Sequence, residues 1–405
     1  MITSRKIRIY PDDNQLHIIN NTFNVCRFIW NQMLEDSIKS YDDGQLKIPN
    51  YGDIVLQNSW LSKDNKEYKF DRHSVNNVKQ FLHSAFDRYR DKAKKSNAKK
   101  SDSKKRKDGR EKGFPRFKSK RYSKNSYTNY NRESVHIDFD NHLIKLPCLG
   151  WVKYNPREKR IPNNWIIKHI TISKSTTNKY YCSICFEYSI DVEYILRNKD
   201  KNNNNILGLD YSSSSLYVDS EGNNASYPKY YRSSQQRLRM LQKQLSRQKK
   251  GGKNRDKTLQ RIRILHEKIA NQRRDFLHKL STSITKKFRI ICVEDINMQN
   301  MSQCLHLGKS TMDNGFGMFR EMLLYKQERI PYHELILANQ WFASSKKCSK
   351  CGNKKSDLKL SDRIYKCDKC GNVIDRDLNA AINLKQYAFD YINGLNILCR
   401  KIKQY

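Results

Sequence analysis

Long apolar runs are missing from this chain. The four residues IICV, inside RIICVED (Arg289–Asp295), are typical of the longest, against the ~18 consecutive apolar residues of a membrane span. The opening stretch, MITSRKIRIYPDDNQ, has no apolar centre, so no secretory leader is expected. Glycine (15) and proline (8) together fall below half of their usual ~12% share, which excludes collagen-like and Gly/Pro-rich disordered chains. Apolar residues are also scarce, at 37% even with tyrosine counted, so the core must be divided among small modules. Acidic residues are in short supply: 41 Asp and Glu face 79 Lys and Arg, for a formal net charge of +38. Such a surplus repels itself in a compact chain unless a polyanion neutralises it. Nucleic acid is therefore the first partner to expect, ahead of a membrane surface, because no single basic amphipathic helix stands out. The 11 cysteines are odd in number and follow no leader. That favours a cytoplasmic, reducing compartment with free thiols or a metal site over a disulfide framework.

The 405 residues suggest two to three domains. Residues 2–10 alternate weakly and predict a strand, and Pro11-Asp12-Asp13 supplies a turn and a helix start. Leu16, Ile19, Phe23, Cys26, Trp30 and Met33 then recur at helical spacing, as do Val75, Val78, Leu82, Phe86 and Tyr89. Between Lys92 and Lys124, 16 of 33 residues are Lys or Arg and only three are acidic. This stretch is expected to be flexible at first and ends in GFPRFKSKR. Strand-like segments follow (VHIDFD, HLIKLP, WIIKHITIS, KYYCSICFEYSI), and KDKNNNN (Lys199–Asn205) reads as a linker. Beyond it, ILGLDYSSSSLYVDSEG predicts a hairpin. Leu238, Leu241 and Leu245, then Ile262 through Ile284, predict a helical pair broken at Gly251-Gly252. FRIICVED and HELILAN read as strands around a helix near 317–329, and DLNAAINLKQYAFDYI as a last helix. Strands threaded by helices give an α/β class.

Two constellations carry chemistry. Cys348-x2-Cys351-x15-Cys367-x2-Cys370 has the spacing of a four-thiolate zinc site, and a glycine follows each CxxC to permit the tight turn. Some 15 residues between the knuckles are too few for a hydrophobic core, so metal ligation supplies folding energy, and a closed four-thiolate site is structural. Cys182 and Cys185 also fit CxxC but lie in an alternating strand that points them to opposite faces, which predicts core packing. The second set is three acids: Asp210 ends ILGLD, Glu294 ends IICVE, and Asp377 opens the last helix. Any one alone is a common cap or solvated acid, the reading kept for Asp295 and Asp375. Together, acids at strand ends of one sheet repel one another, and a divalent cation with a taste for hard oxygen, Mg²⁺ or Mn²⁺, removes the repulsion. Two such ions ~3.5–4 Å apart serve phosphodiester hydrolysis.

At this point the sequence resembles the TnpB (OrfB) proteins of small insertion sequences, relatives of the compact type V CRISPR effectors. The matching stretches are GFPRFKSK, LPCLGWVKY, GLDYSSSSLYVDSEG, RMLQKQLSRQKKG through LHEKIANQRRDFLHKLS, VEDIN, WFASSKKCSKCG, LSDRIYKCDKCG and DRDLNAAINL. The resemblance implies an RNA-guided, Mg²⁺-dependent DNA endonuclease with guide RNA and double-stranded target DNA as partners. It implies a RuvC-like nuclease core of the RNase H fold (204–343 and 375–405) with an inserted zinc ribbon (344–374). It also implies a β-barrel wedge domain (1–12 and 119–203) interrupted by a helical recognition domain (13–118). The family's nuclease acids fall on Asp210, Glu294 and Asp377, and its zinc ligands on Cys348, Cys351, Cys367 and Cys370. Two positions depart from many relatives: Tyr-Ser-Ser-Ser-Ser follows the first Asp in place of Gly-Leu, and Ile374 stands where His is frequent. Neither is a ligand.

The resemblance gives the basic surface a use, holding RNA and the RNA–DNA heteroduplex by their backbones. Arg116, Lys118, Lys120, Arg121, Lys249, Lys250, Lys253 and Arg255 are the candidate contacts. The Tyr-rich segments RYSKNSYTNYNR and YPKYYR are either base-stacking surfaces or loops with packed tyrosines. Two other functions compete: a non-cutting RNA-guided regulator, which predicts a broken acid set, and a transposase or junction nuclease that works without RNA.

Overall fold

The structure is a computed structural model. It describes residues 1–42, 45–62, 68–97, 110, 113–121, 123–157, 161–162, 164–189, 206–297, 313, 315–331, 333–359 and 362–402. The linker reading at 199–205 and most of the basic stretch between 98 and 112 lie outside these residues. The chain divides into two units, 1–189 and 190–405.

The first unit runs β1 (Ile2–Tyr10), α1 (Asp13–Asp42), α2 (Tyr51–Gln57), α3 (Arg72–Asn76) and α4 (Val78–Asn97). It continues with β2 (Asn125–Asn129), β3 (His136–Asp138), β4 (Leu143–Leu146), β5 (Gly150–Tyr154), β6 (Ile166–Lys174) and β7 (Tyr180–Glu187). The seven strands form one antiparallel sheet in the order β2-β6-β7-β1-β5-β4-β3. Asp12 starts α1 by accepting the Gln15 amide at 2.8 Å, while Gln15 Oε1 accepts the Asp12 amide at 3.0 Å, a reciprocal cap. The predicted stripe of α1 is buried from Ile19 to Met33. The helix buries more than that stripe, because Val25, Ile29 and Leu34 are also inside. One continuous core joins these helices to the sheet, with Cys182, Ile184 and Phe186 pointing into it from β7. Cys185 lies on the other face, as alternation requires.

Strand β2 corrects the loop reading of RYSKNSYTNYNR. Tyr127 is buried and packs on Phe23 with ring centroids 5.5 Å apart, so it has no face left for a base. Its segment is polar (NSYTN), which hid a strand whose apolar content is one residue.

The second unit runs β8 (Ile206–Ser212), β9 (Leu216–Asp219), α5 (Tyr230–Arg247), α6 (Lys253–Lys287), β10 (Ile290–Glu294), α7 (Phe316–Glu328) and β11 (Glu334–Ala338). It ends with β12 (Ile364–Lys366), β13 (Val373–Asp375) and α8 (Arg376–Ile402). Its main sheet is ordered β11-β10-β8-β9, with β8, β10 and β11 parallel and β9 antiparallel at the edge. Parallel strands are covered on both sides, and here period-two alternation sorts the covers. Leu207, Leu209, Ile291 and Val293 face a core with Leu277 of α6 and Phe319 and Leu323 of α7. Ile206, Ile290, Cys292 and Ile336 face Leu384 and Ala388 of α8. This is a three-layer α/β arrangement. In the YPKYYR segment Tyr227 is buried and donates its hydroxyl to the Asp313 carbonyl at 2.6 Å, so it too is a packing residue.

The candidate acid site and its cysteine ribbon

The acid site is assembled by strand register. Leu209 of β8 is level with Val293 of β10, so the next residues, Asp210 and Glu294, stand side by side on strands ~4.8 Å apart. Being in register, they project from one face, the face that α8 covers. Strand C-terminal ends are where open parallel sheets place ligand sites.

Helix α8 is drawn down onto this face by small residues. Ala380 and Ala381 are fully buried. Opposite them Gly208 leaves no room for a side chain: a Cβ there would lie 2.0 Å from the Ala381 carbonyl oxygen and 2.6 Å from the Lys385 nitrogen. The close approach brings the first turn of α8 near Asp210, which feels the charge of Asp377, although the carboxylates of Asp210, Glu294 and Asp377 do not all lie within 4.8 Å of one another. Asp375 caps the helix, its Oδ1 accepting the amides of Asp377 and Leu378 at 3.0 Å each. Asp295 is held by Arg320 Nη1 at 3.1 Å. Both of these acids thus have the ordinary structural roles expected for them.

Burial dominates the electrostatics of the three acids. Burial pushes Asp210 well above the usual carboxylate range, and Glu294 and Asp377 push it further. Burial also raises Glu294, against a hydrogen bond donated by Ser344 Oγ and the charge of Arg376. Burial raises Asp377, helped by Asp375 and opposed by the charges of Arg376 and Arg363. Carboxylates that burial disfavours as anions are a donor set a hard divalent cation would suit.

The cysteines converge. The four sulfurs lie within 4.8 Å of one another, the one such ligand group among the described residues. Cys348 and Cys370 are 3.7 Å apart and Cys351 and Cys367 3.5 Å apart. Each knuckle turns through a glycine in the left-handed region, Gly352 at φ 74° and Gly371 at φ 69°, which only glycine enters freely. The two knuckles repeat one pattern, since Gly352 donates to the Cys348 carbonyl and Gly371 to that of Cys367. Amides pointing at sulfur, Cys370's first and Lys369's next, bring the Cys367 thiol down to about 6. The Asn372 amide pulls on Cys370, yet the sulfurs of Cys351, Cys367 and Cys348 push it up to about 12. Four thiolates this close repel one another unless a cation sits among them, and a four-sulfur set suits zinc. The β12–β13 ribbon lies beneath, with Tyr365 buried between the knuckles.

The basic candidates fall into two groups. Arg116, Lys120, Arg121, Lys249, Lys250 and Lys253 are exposed. Lys118 is half-buried over the Trp30 ring at 3.6 Å, and burial lowers it to about 8. Arg255 donates to the carbonyls of Leu245 and Gln248, clamping the turn between α5 and α6.

The motifs did not reveal the residues that hold the site together. Ser344 lies inside WFASSKKCSKCG, and Asn379 and Asn383 inside DLNAAINL, yet nothing in their spacing shows what they touch. Asn379 and Asn383, four apart, share a helix face, and that repeat was the available signal.

Several known proteins are similar to this chain. A model for the OrfB protein of the IS605 type, described as "Probable transposase", matches residues 183–305. A model described as "Cas12f1-like, TNB domain" matches 316–384, and the helix-turn-helix domain of the same OrfB type matches 1–45. A Streptomyces pristinaespiralis protein named "Putative RNA-guided DNA endonuclease" is 27% identical over 94% of this chain and 87% of its own. The Escherichia coli K12 protein "Putative RNA-guided DNA endonuclease InsQ" is 28% identical over 94% of this chain and 90% of its own. A solved "Cas12f1-sgRNA-target DNA complex" superposes over 95% of this chain and 98% of that one, with a TM-score of 0.49 and 13% identity. These matches run along most of the chain and make it similar to the OrfB proteins of the IS605 type and, in its C-terminal part, to the Cas12f1-like proteins.

Proposed function

We propose that this protein is an RNA-guided DNA endonuclease of the TnpB type. The observation that carries the reading is the parallel register that sets Asp210 beside Glu294, with Gly208 seating the α8 end that bears Asp377 near Asp210. In this reading the second unit is a RuvC-like core of the RNase H fold (204–343 and 375–405) carrying a zinc ribbon at 344–374. Strands at 1–12 and 119–203 form the barrel-like wedge, and 13–118 the recognition domain. Guide RNA and double-stranded target DNA are held by their backbones on the basic surface, so affinity falls steeply with salt.

Asp210, Glu294 and Asp377 would hold Mg²⁺ or Mn²⁺, and Cys348, Cys351, Cys367 and Cys370 would hold zinc. Bound divalent cations supply positive charge for the scissile phosphate and lower the pKa of water. The chain's own part is positional. The sheet fixes two carboxylates rigidly, Ser344 holds Glu294 by one oxygen, and burial keeps bulk water from screening the site. Zinc assists folding and stays outside the chemistry, because a four-thiolate shell leaves no open position.

The test is guided cleavage by purified Asp210→Ala and Glu294→Ala. Both should lose cutting by several orders of magnitude and keep guide RNA. Full cutting by either overturns the assignment.

A further inference from the structure

The ribbon and the acid site are joined by a buried line of hydrogen bonds. Asn383 of α8 is 4% exposed, and its amide donates to the Ser344 carbonyl at 2.7 Å and the Lys347 carbonyl at 2.6 Å. Asn379, fully buried one turn earlier, donates to the same Lys347 carbonyl at 2.8 Å. Its Oδ1 accepts the Ser349 amide at 2.9 Å, inside the first cysteine knuckle. At the other end Ser344 Oγ donates to Glu294 Oε1. The segment between β11 and Cys348 is therefore held at two carbonyls by three hydrogen bonds from two asparagines of the helix that carries Asp377. Among the described residues its polar contact with the acid pair is the Ser344 hydroxyl.

We propose that Ser344, Asn379 and Asn383 are positioning residues that let the metal-loaded cysteine knuckle fix the Glu294 carboxylate for divalent-cation binding. The proposal deepens the nuclease reading and rests on it. With the knuckle locked, the Lys347 carbonyl has one place to be, both asparagines hold it, and Ser344 is presented to Glu294 in one orientation. With the knuckle open, that carbonyl moves and the Glu294 oxygen loses its donor. Outer partners of metal-binding groups are worth roughly 10–100-fold in metal affinity or activity.

The test uses the full chain with guide RNA. Ser344→Ala, Ser344→Thr and Asn383→Ala are compared for the Mg²⁺ concentration giving half-maximal cleavage. Mn²⁺ affinity of the RNA-free chain is measured by electron paramagnetic resonance, and zinc content and thermal midpoint are recorded. Ser344→Ala should raise the Mg²⁺ requirement and weaken Mn²⁺ binding about 10-fold, with zinc content and melting unchanged. Ser344→Thr, which keeps the hydroxyl, should restore both. Asn383→Ala should give the same displacement, and combining it with Ser344→Ala should add little, because both act on one line of contacts. If Asn383→Ala fails to fold, the Ser344 pair still decides, since losing one hydroxyl leaves that backbone held. Wild-type Mg²⁺ and Mn²⁺ dependence in Ser344→Ala overturns the inference and leaves the nuclease reading standing. Cutting by Asp210→Ala sinks the nuclease reading itself.

Discussion

Gly208→Ala is the smallest change that tests how the acid site is built. It adds one methyl group to a buried strand and changes no charge. The added carbon would sit 2.0 Å from the Ala381 carbonyl oxygen, where an ordinary contact needs 3.4 Å or more. The obstacle is helix backbone, which cannot rotate away as a side chain does, so α8 must retreat by more than an ångström. Overpacking of this kind costs ~1–3 kcal/mol, and roughly 2–4 °C of melting temperature per kcal/mol follows for a unit of this size. The larger effect falls on chemistry. Asp377 rides on the displaced helix while Asp210 and Glu294 stay with the sheet, and a misplacement of ~1 Å can cost about 100-fold in rate. Guided cleavage should therefore drop by about two orders of magnitude, with guide RNA retained and zinc still bound. Gly208→Ala that melts at the wild-type temperature and cuts at the wild-type rate would refute the claim that helix seating assembles the site.

Other outcomes follow from the same geometry. Burial raises Asp210, Glu294 and Asp377, so the folded chain without divalent metal binds more protons than the unfolded chain above the ordinary carboxylate range. Stability from these groups is full at pH below that range and is lost as pH rises through the raised values. Asp210→Asn should flatten that fall and raise the metal-free melting temperature near neutral pH, by roughly 2–4 °C per kcal/mol recovered, while abolishing cleavage. Differential scanning across pH checks the sign, and a lower melting temperature than wild type would contradict it. Cys348→Ser should lose one equivalent of zinc and precipitate on mild heating, as metal analysis and a thermal ramp would show. Normal zinc content in that variant would remove the ribbon assignment.

Several features were legible because they are local. The CxxC spacing, the glycine after each knuckle, the alternation that sends Cys182 and Cys185 to opposite faces, and the stripes of α1, α5 and α6 are all short-range geometry. Strand β2 escaped because NSYTN holds one apolar residue, and its membership in the sheet comes from pairing with β6, far along the chain. The stacking option for Tyr127 and Tyr227 failed for a related reason: composition gives an aromatic ring but not which surface it meets.

The sequence by itself determined which groups are present: four thiols at knuckle spacing, three acids at element ends, and an excess of basic charge that calls for a polyanion. Tertiary structure decided which of them meet. Register between β8 and β10 puts Asp210 and Glu294 abreast, and helix approach over Gly208 brings the end of α8 that bears Asp377 near Asp210. Ser344, Asn379 and Asn383 gained their partners only through contacts between residues distant along the chain. Such pairings are set by packing of whole elements, where one residue of slip would turn either carboxylate to the opposite face of the sheet.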